Sequence, residues 1–254
     1  MHTQKIIQHI SNWLKDYLLK SNTTGFVIGI SGGIDSAVTS TIAAKTNKPV
    51  LCLEMPILQK KEELQRSQNH IKWLKKKYKN ISSERIDLTS TYNDIINKFT
   101  KKNILANVNT RARIRMTTLY YLAQSNNYLV LGTGNKVEDF GIGFYTKYGD
   151  GGVDISPIAD LLKTEVYKIG EELNIIQDIM NAPPTDGLWD DGKTDEDQIG
   201  ATYAELEWAM NYNGDVKKLD EREKEILNIY KNFNLANQHK MIEIPVCLIP
   251  ENLK

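Results

Sequence analysis

The chain has 254 residues and balances 32 lysines and arginines with 32 aspartates and glutamates, which excludes a global polyanion partner such as nucleic acid and leaves only local basic sites. That length buries a full core as one large domain or one domain with an appendage, and the two cysteines, Cys52 and Cys247, both in apolar runs, read as small core residues that exclude a disulfide framework. No stretch reaches the roughly 18–20 apolar residues of a membrane span and the N-terminus lacks a secretory pattern, so a soluble cytoplasmic protein is expected.

Residues 3 to 20 carry Ile6, Ile10, Trp13, Leu14, Tyr17 and Leu18 at helical spacing, an amphipathic helix for one side of a sheet, with His2 and His9 facing solvent. Gly25-Phe26-Val27-Ile28 reads as a short buried strand. It runs into Gly29-Ile30-Ser31-Gly32-Gly33-Ile34-Asp35-Ser36 and then a small-residue helix from Ala37 to Ala44. A strand, a glycine turn and a helix start make an anion site, because N–H groups and the helix dipole point at one spot. Glycine lets the main chain approach a phosphate, and Ser31 and Ser36 add hydroxyl donors. A carboxylate repels phosphate, so Asp35 makes sense with a magnesium ion between the two. No Gly-Lys-Ser/Thr follows, so this is not the ordinary P-loop.

Further on, Val50 to Met55 is a second buried strand ended by Pro56, and residues 60–78 form a helix with Leu64, Gln68, Ile71, Trp73 and Leu74 inward. The lysines at its end suit a helix C-terminus. Glu84 to Leu88 reads as a third strand, Tyr92, Ile95, Ile96 and Phe99 mark a short helix, and residues 107–124 a long one. On that long helix Arg111 and Arg115 share a face while Arg113 points elsewhere. Tyr128 to Leu131 is a buried strand ending in Gly132-Thr133-Gly134-Asn135, which sets Thr133 beside the first loop and Glu138 opposite Asp35 as a second magnesium ligand.

Strands alternating with helices predict an α/β fold, a doubly wound parallel sheet with ligands at the carboxyl ends of its strands. Residues 163–180 read as helical cover with Val166, Ile169, Leu173 and Ile175 inward. The proline-rich run Ala182 to Trp189 and the acidic run Asp190 to Asp197 read as a surface lid. The remainder is helical, packed by Tyr203, Leu206, Trp208 and Met210 and by Ile226, Leu227, Tyr230 and Phe233, and residues 244–250 form an extended apolar tail.

Ser31-Gly32-Gly33-Ile34-Asp35-Ser36 resembles the pyrophosphate-binding loop of the ATP pyrophosphatase superfamily. The stretch from Gly143 to Ile158, with Phe144-Tyr145-Thr146-Lys147 and Gly151-Gly152-Val153-Asp154, together with Lys163, is similar to the signature of the NAD synthetases. Asn109-Thr110-Arg111-Ala112-Arg113-Ile114-Arg115-Met116 is similar to their Asn-x-x-Ala-Arg-x-Arg-Met helix. This resemblance covers nearly the whole chain. It implies a single-domain, Rossmann-like adenine nucleotide α-hydrolase-type fold with a helical C-terminal part, and an ammonia-dependent ligase that turns deamido-NAD, ATP and ammonia into NAD, AMP and pyrophosphate.

By matching positions the resemblance assigns Gly29 to Ser36, Thr133, Lys163 and Thr185 to ATP, and Arg113, Lys147, Asp154, His239 and Lys240 to deamido-NAD. It assigns magnesium to Asp35 and Glu138, and catalysis to Asp35 and Lys163. It further implies a homodimer and free ammonia rather than glutamine as nitrogen source, with no glutaminase domain expected. The same amidation of nicotinate mononucleotide is the alternative, since Gly187-Leu188-Trp189 is similar to a loop of relatives that use it; a nucleotide-binding module without catalysis is the rival of a different class. Two departures stand out. Asp186-Gly187-Leu188-Trp189 replaces the family's frequent Ala-Asp-Leu after Pro-Thr, and one extra residue lies between Glu138 and Phe144-Tyr145-Thr146-Lys147, which leaves the metal ligand open between Glu138 and Asp139.

Overall fold

Short apolar segments that bury both faces pair as parallel strands. β1 (Gly25–Gly29), β2 (Val50–Glu54), β3 (Ile81–Arg85) and β4 (Tyr128–Val130) form one sheet in the order β3-β2-β1-β4 in a computed structural model that describes residues 1–185 and 194–254. The helices in chain order are α1 (Thr3–Ser21), α2 (Ile34–Ala44), α3 (Lys61–Lys77), α4 (Thr89–Ile96) and α5 (Ile104–Asn126). They continue as α6 (Lys163–Leu173), α7 (Gln177–Met180), α8 (Asp195–Ile199), α9 (Tyr203–Asn211) and α10 (Glu221–Met241).

Strand periodicity sorts the sheet's side chains into two cores. Phe26, Ile28, Val50, Cys52 and Leu129 pack against α1, α2, α3 and α6, while Val27, Leu51, Leu53 and Val130 pack against α4 and α5. The sheet is therefore doubly wound, as the alternation of elements predicts. Val27 stands opposite Leu51 on one side and Val130 on the other, so the winding reverses at β1. A topological switch point opens a crevice at the strands' carboxyl ends, and the Gly29–Ser36 loop leaves β1 there. A third core holds Val137, Ile142, Leu206, Ile226 and Leu227, and joins α8, α9 and α10 to the segment after β4.

Three expectations need correction. The third strand is Ile81–Arg85 and not residues 84–88; Ser82 and Ser83 pair with Leu51 and Cys52, and an edge strand with one partner needs no continuous apolar run. The helical cover expected over 163–180 is present as two helices, with Asn174 in the left-handed conformation at φ 57° between α6 and α7. Phe99 lies past the end of α4 and is exposed, and Cys247 is exposed rather than a core residue. The variant residues Asp186 to Trp189, and the start of the acidic run up to Lys193, lie outside the described residues.

His70 on α3 is buried between the helices of the first core, with Nε2 3.0 Å from the Ser40 hydroxyl of α2 and no hydrogen-bond partner at Nδ1. Burial lowers its pKa to about 4. Between pH 6.5 and 4 the unfolded chain then binds a proton that the folded chain does not, so stability is full above pH 6.5 and falls with pH. The expected loss by pH 4 is roughly 3 kcal/mol. Thermal melting of the wild type and of His70→Gln across that range checks it: the variant should lose markedly less than the wild type.

Candidate active site

The loop after β1 continues the sheet for one step, since Ile30 N–H donates to Leu53 O at 2.9 Å, and then turns into α2. Gly32 makes the turn at φ +86°, and a Cβ there would stand 2.8 Å from the Glu63 carbonyl of α3. Only glycine fits. Ser31 and Ser36 brace the turn from inside: their hydroxyls are 3.1 Å apart, Gly33 N–H donates to Ser31 Oγ and Ser36 Oγ donates to Gly33 O. The positive end of α2 is thus presented at the crevice.

Asp35, in the first turn of α2, meets Lys163 from the start of α6. Lys163 Nζ lies 2.6 Å from Asp35 Oδ2 and 2.9 Å from Glu138 Oε1, with its side chain almost wholly buried. One ammonium thus serves two carboxylates. Burial penalises that ammonium, but Asp35 and Glu138 outweigh the penalty and raise its pKa further above the usual lysine range. Burial also opposes the charge on Glu138, yet Lys163 and the Tyr203 hydroxyl hold its carboxyl below the ordinary value. Burial pushes Asp35 up, with Glu138 adding to the shift and Lys163 resisting it. Asn135 ties the group together: its Nδ2 donates to Asp35 Oδ1 at 3.2 Å and its Oδ1 accepts from the N–H groups of Val137 and Glu138.

Residues Lys136–Ile142 form a π-helix, closed by Gly143 in the left-handed conformation. A π-turn is how a helix absorbs one extra residue, and such turns gather at functional sites. The wide turn separates the two adjacent acids. Glu138 reaches Lys163, whereas the Asp139 carboxylate folds against Gly134 so closely that a Cβ there would lie 1.8 Å from its Oδ2. Burial, together with Glu138, Asp150 and Asp35, pushes Asp139 up to about 8.

These elements line one cavity of about 300 Å³. Every residue from Gly29 to Ser36 borders it, as do Thr133, Glu138, Lys163 and Thr185. Asp195 also borders it, and Arg115 reaches in from α5 with its Nε donating to Met55 O at 3.0 Å.

A family model for NAD synthase matches residues 6–243. The NH3-dependent NAD+ synthetase of Syntrophomonas wolfei is 36% identical over 263 residues, covering 100% of both chains. Among solved structures, the NMN synthetase of Francisella tularensis superposes with a TM-score of 0.85 at 32% identity, covering 99% of each chain. The NH3-dependent NAD synthetase of Campylobacter jejuni, in complex with the nitrate ion, superposes with a TM-score of 0.80 at 26% identity over 98% of this chain and 100% of its own. The chain belongs to the NAD synthase family.

The residues expected at the acid substrate lie outside the cavity. Four of them form one linked patch. Arg113 Nε donates to Lys147 O at 3.3 Å and Lys147 Nζ to His239 O at 2.6 Å, while Lys240 Nζ reaches the carbonyls of Gly143 and Tyr145 at 2.8 and 2.9 Å. The Tyr145 hydroxyl in turn donates to Lys240 O. Asp154 sits apart, its carboxylate accepting from Tyr120 Oη at 3.0 Å and Val130 N–H at 2.8 Å. Sequence reasoning missed Asn135, Tyr203 and Asp195. An asparagine between a strand and a helix is an N-cap signal that could have marked the first; the other two carry no comparable pattern.

The triad of charges predicts opposite behaviour for two variants. Lys163→Met leaves two partly buried carboxylates without their cation and should destabilise the fold by at most about 3–5 kcal/mol, with recovery as pH falls and the acids protonate. Asp35→Asn leaves Lys163 paired with Glu138 and should lose far less. Melting curves at pH 5 and pH 8 separate the two.

Proposed function

We propose that this chain is an ammonia-dependent NAD synthetase, a ligase that forms the amide C–N bond of NAD from deamido-NAD, ATP and ammonia and releases AMP and pyrophosphate. The observation that carries this reading is the Lys163 ammonium held between Asp35 and Glu138 in the cavity lined by the Gly29–Ser36 loop. A carboxylate does not react with ammonia, because an oxide would have to leave. Attack by the nicotinate carboxylate oxygen on the ATP α-phosphorus forms an acyl-adenylate and expels pyrophosphate, and AMP is then the leaving group when the ammonia lone pair attacks the acyl carbon. The protein's part is positioning and charge neutralisation.

Backbone N–H groups and the dipole of α2 face the departing pyrophosphate, Lys163 follows it as a point charge, and Thr133 and Thr185 border the nucleotide. Magnesium suits the two acids, hard oxygen donors that already converge on a single cation, Lys163 Nζ; such an ion takes one or two carboxylates and completes its shell with phosphate oxygens and water. When bound it would neutralise charge on the nucleotide phosphates. Arg113, Lys147, His239 and Lys240 give the acid substrate a basic patch at the chain's surface, and Asp154, apart from that patch, is read as a further contact to the same substrate.

A second reading, nicotinate mononucleotide as the acid, draws on the Francisella tularensis enzyme, an NMN synthetase 32% identical over 99% of this chain. The two acids share the reacting group and differ in the adenylate moiety. We also read the chain as one domain acting in the cytoplasm, where both nucleotides are met, and as a homodimer. The dimer reading draws on exposed apolar side chains of the tail, Ile244, Val246 and Leu248 among them, and on Tyr121 of α5.

Competition between deamido-NAD and nicotinate mononucleotide, with ATP, magnesium and ammonium present, is the deciding experiment. Deamido-NAD should be amidated with one pyrophosphate released per turnover and should win the competition; preference for the mononucleotide establishes the second reading, and no pyrophosphate with either acid refutes both. Asp35→Asn should lower turnover by at least about 100-fold while its melting stays near that of the wild type. Light scattering at micromolar concentration should return twice the chain mass; a fully active monomer refutes the dimer.

A further inference from the structure

Tyr203 opens α9 on the far side of the metal acids from the Gly29–Ser36 loop. Its backbone is fixed twice over. Thr202 caps the helix in a reciprocal pair with Glu205, and Tyr203 N–H donates to Glu196 Oε1 at 2.8 Å. Its side chain is buried in the third core. The hydroxyl emerges from that core 2.6 Å from Glu138 Oε1 and 3.3 Å from Asp195 Oδ2, and the ring lies under Lys163, whose Nζ is 4.9 Å from its centroid. A carboxylate offers only acceptor lone pairs, so the Tyr203 hydroxyl is the donor in its contact with Glu138.

Glu138 hangs from a π-turn by a flexible side chain, and such a chain loses rotamer freedom when it is held for a metal. A phenol on a packed ring is already ordered and can hold it at little further loss. Glu138 Oε1 accepts from both Tyr203 and Lys163, so one of its two holders is rigid and the other is a long ammonium chain. We propose that Tyr203 is a positioning residue whose hydroxyl fixes the Glu138 carboxylate for magnesium, so that the helical C-terminal part of the chain sets the affinity of the metal site. This rests on the reading of Glu138 as a metal ligand. Groups that orient a ligating carboxylate from behind typically change metal affinity by about 10–100-fold when removed.

The test is Mn²⁺ binding, followed by the free-ion spin-resonance signal, in the presence of α,β-methylene-ATP, which cannot turn over. Tyr203→Phe keeps the ring over Lys163 and loses only the hydroxyl; it should weaken Mn²⁺ about tenfold. Glu138→Gln should weaken it more, and the double variant should bind no worse than Glu138→Gln alone, because the hydroxyl acts through that carboxylate. Unchanged binding in Tyr203→Phe, or an equal further loss on the Glu138→Gln background, overturns the inference. Unchanged binding in Glu138→Gln instead overturns the metal reading beneath it. Should Tyr203→Phe fail to fold, wild-type protein labelled at tyrosine Cζ gives the same answer: the resonance moved by Glu138→Gln should also move when Mg²⁺ joins the nucleotide, and its standing still counts against the inference.

Discussion

One buried ammonium and the two partly buried carboxylates that hold it, at the switch point of the sheet, are the constraint on which the rest of the structure depends. Each charge would be expensive alone in that setting, and the set is tolerable only because every member has partners. Those partners come from separate layers: Asp35 from the start of α2, Lys163 from the start of α6, Glu138 and Asn135 from the turn after β4, and Tyr203 from α9. The sheet puts the first three within reach of one another because β1 and β4 are neighbours, and both cores must be packed for the geometry to hold.

The same cluster explains why an irregular segment follows β4. A plain α-turn would set Glu138 and Asp139 at the regular angle of an α-helix. The wider π-turn keeps Glu138 on the ammonium and stows Asp139 against Gly134, the position where a side chain has no room. Two adjacent acids thereby reach opposite electrostatic fates, one held charged and the other pushed up to about 8.

Much of this was legible in the chain. β1, its glycine turn and α2 could be read because apolar alternation, glycine and small residues each have one cheap backbone solution there. The doubly wound order followed from the alternation of strands and helices along the chain. The edge strand β3 was misplaced because its residues pair on one side only, so Ser82 and Ser83 carry no hydrophobic signal. Cys247 was misjudged because an apolar tail predicts burial only if something covers it. Tyr203 was assigned to the core, where its ring does lie, and nothing in a Thr-Tyr pair at a helix start tells that the hydroxyl reaches back to Glu138. Contacts between remote elements are set by packing, which pattern does not encode.

Asp35 and Lys163 stand 128 residues apart in the chain. During synthesis at roughly 5–20 residues per second, the ribosome presents Asp35 on the order of ten seconds before its ammonium partner exists. Until then that carboxylate has no Lys163 to pair with, and α2 buried over it would strand a charge. Completion of the crevice is thereby tied to the arrival of α6, the helix whose first residue supplies the ammonium.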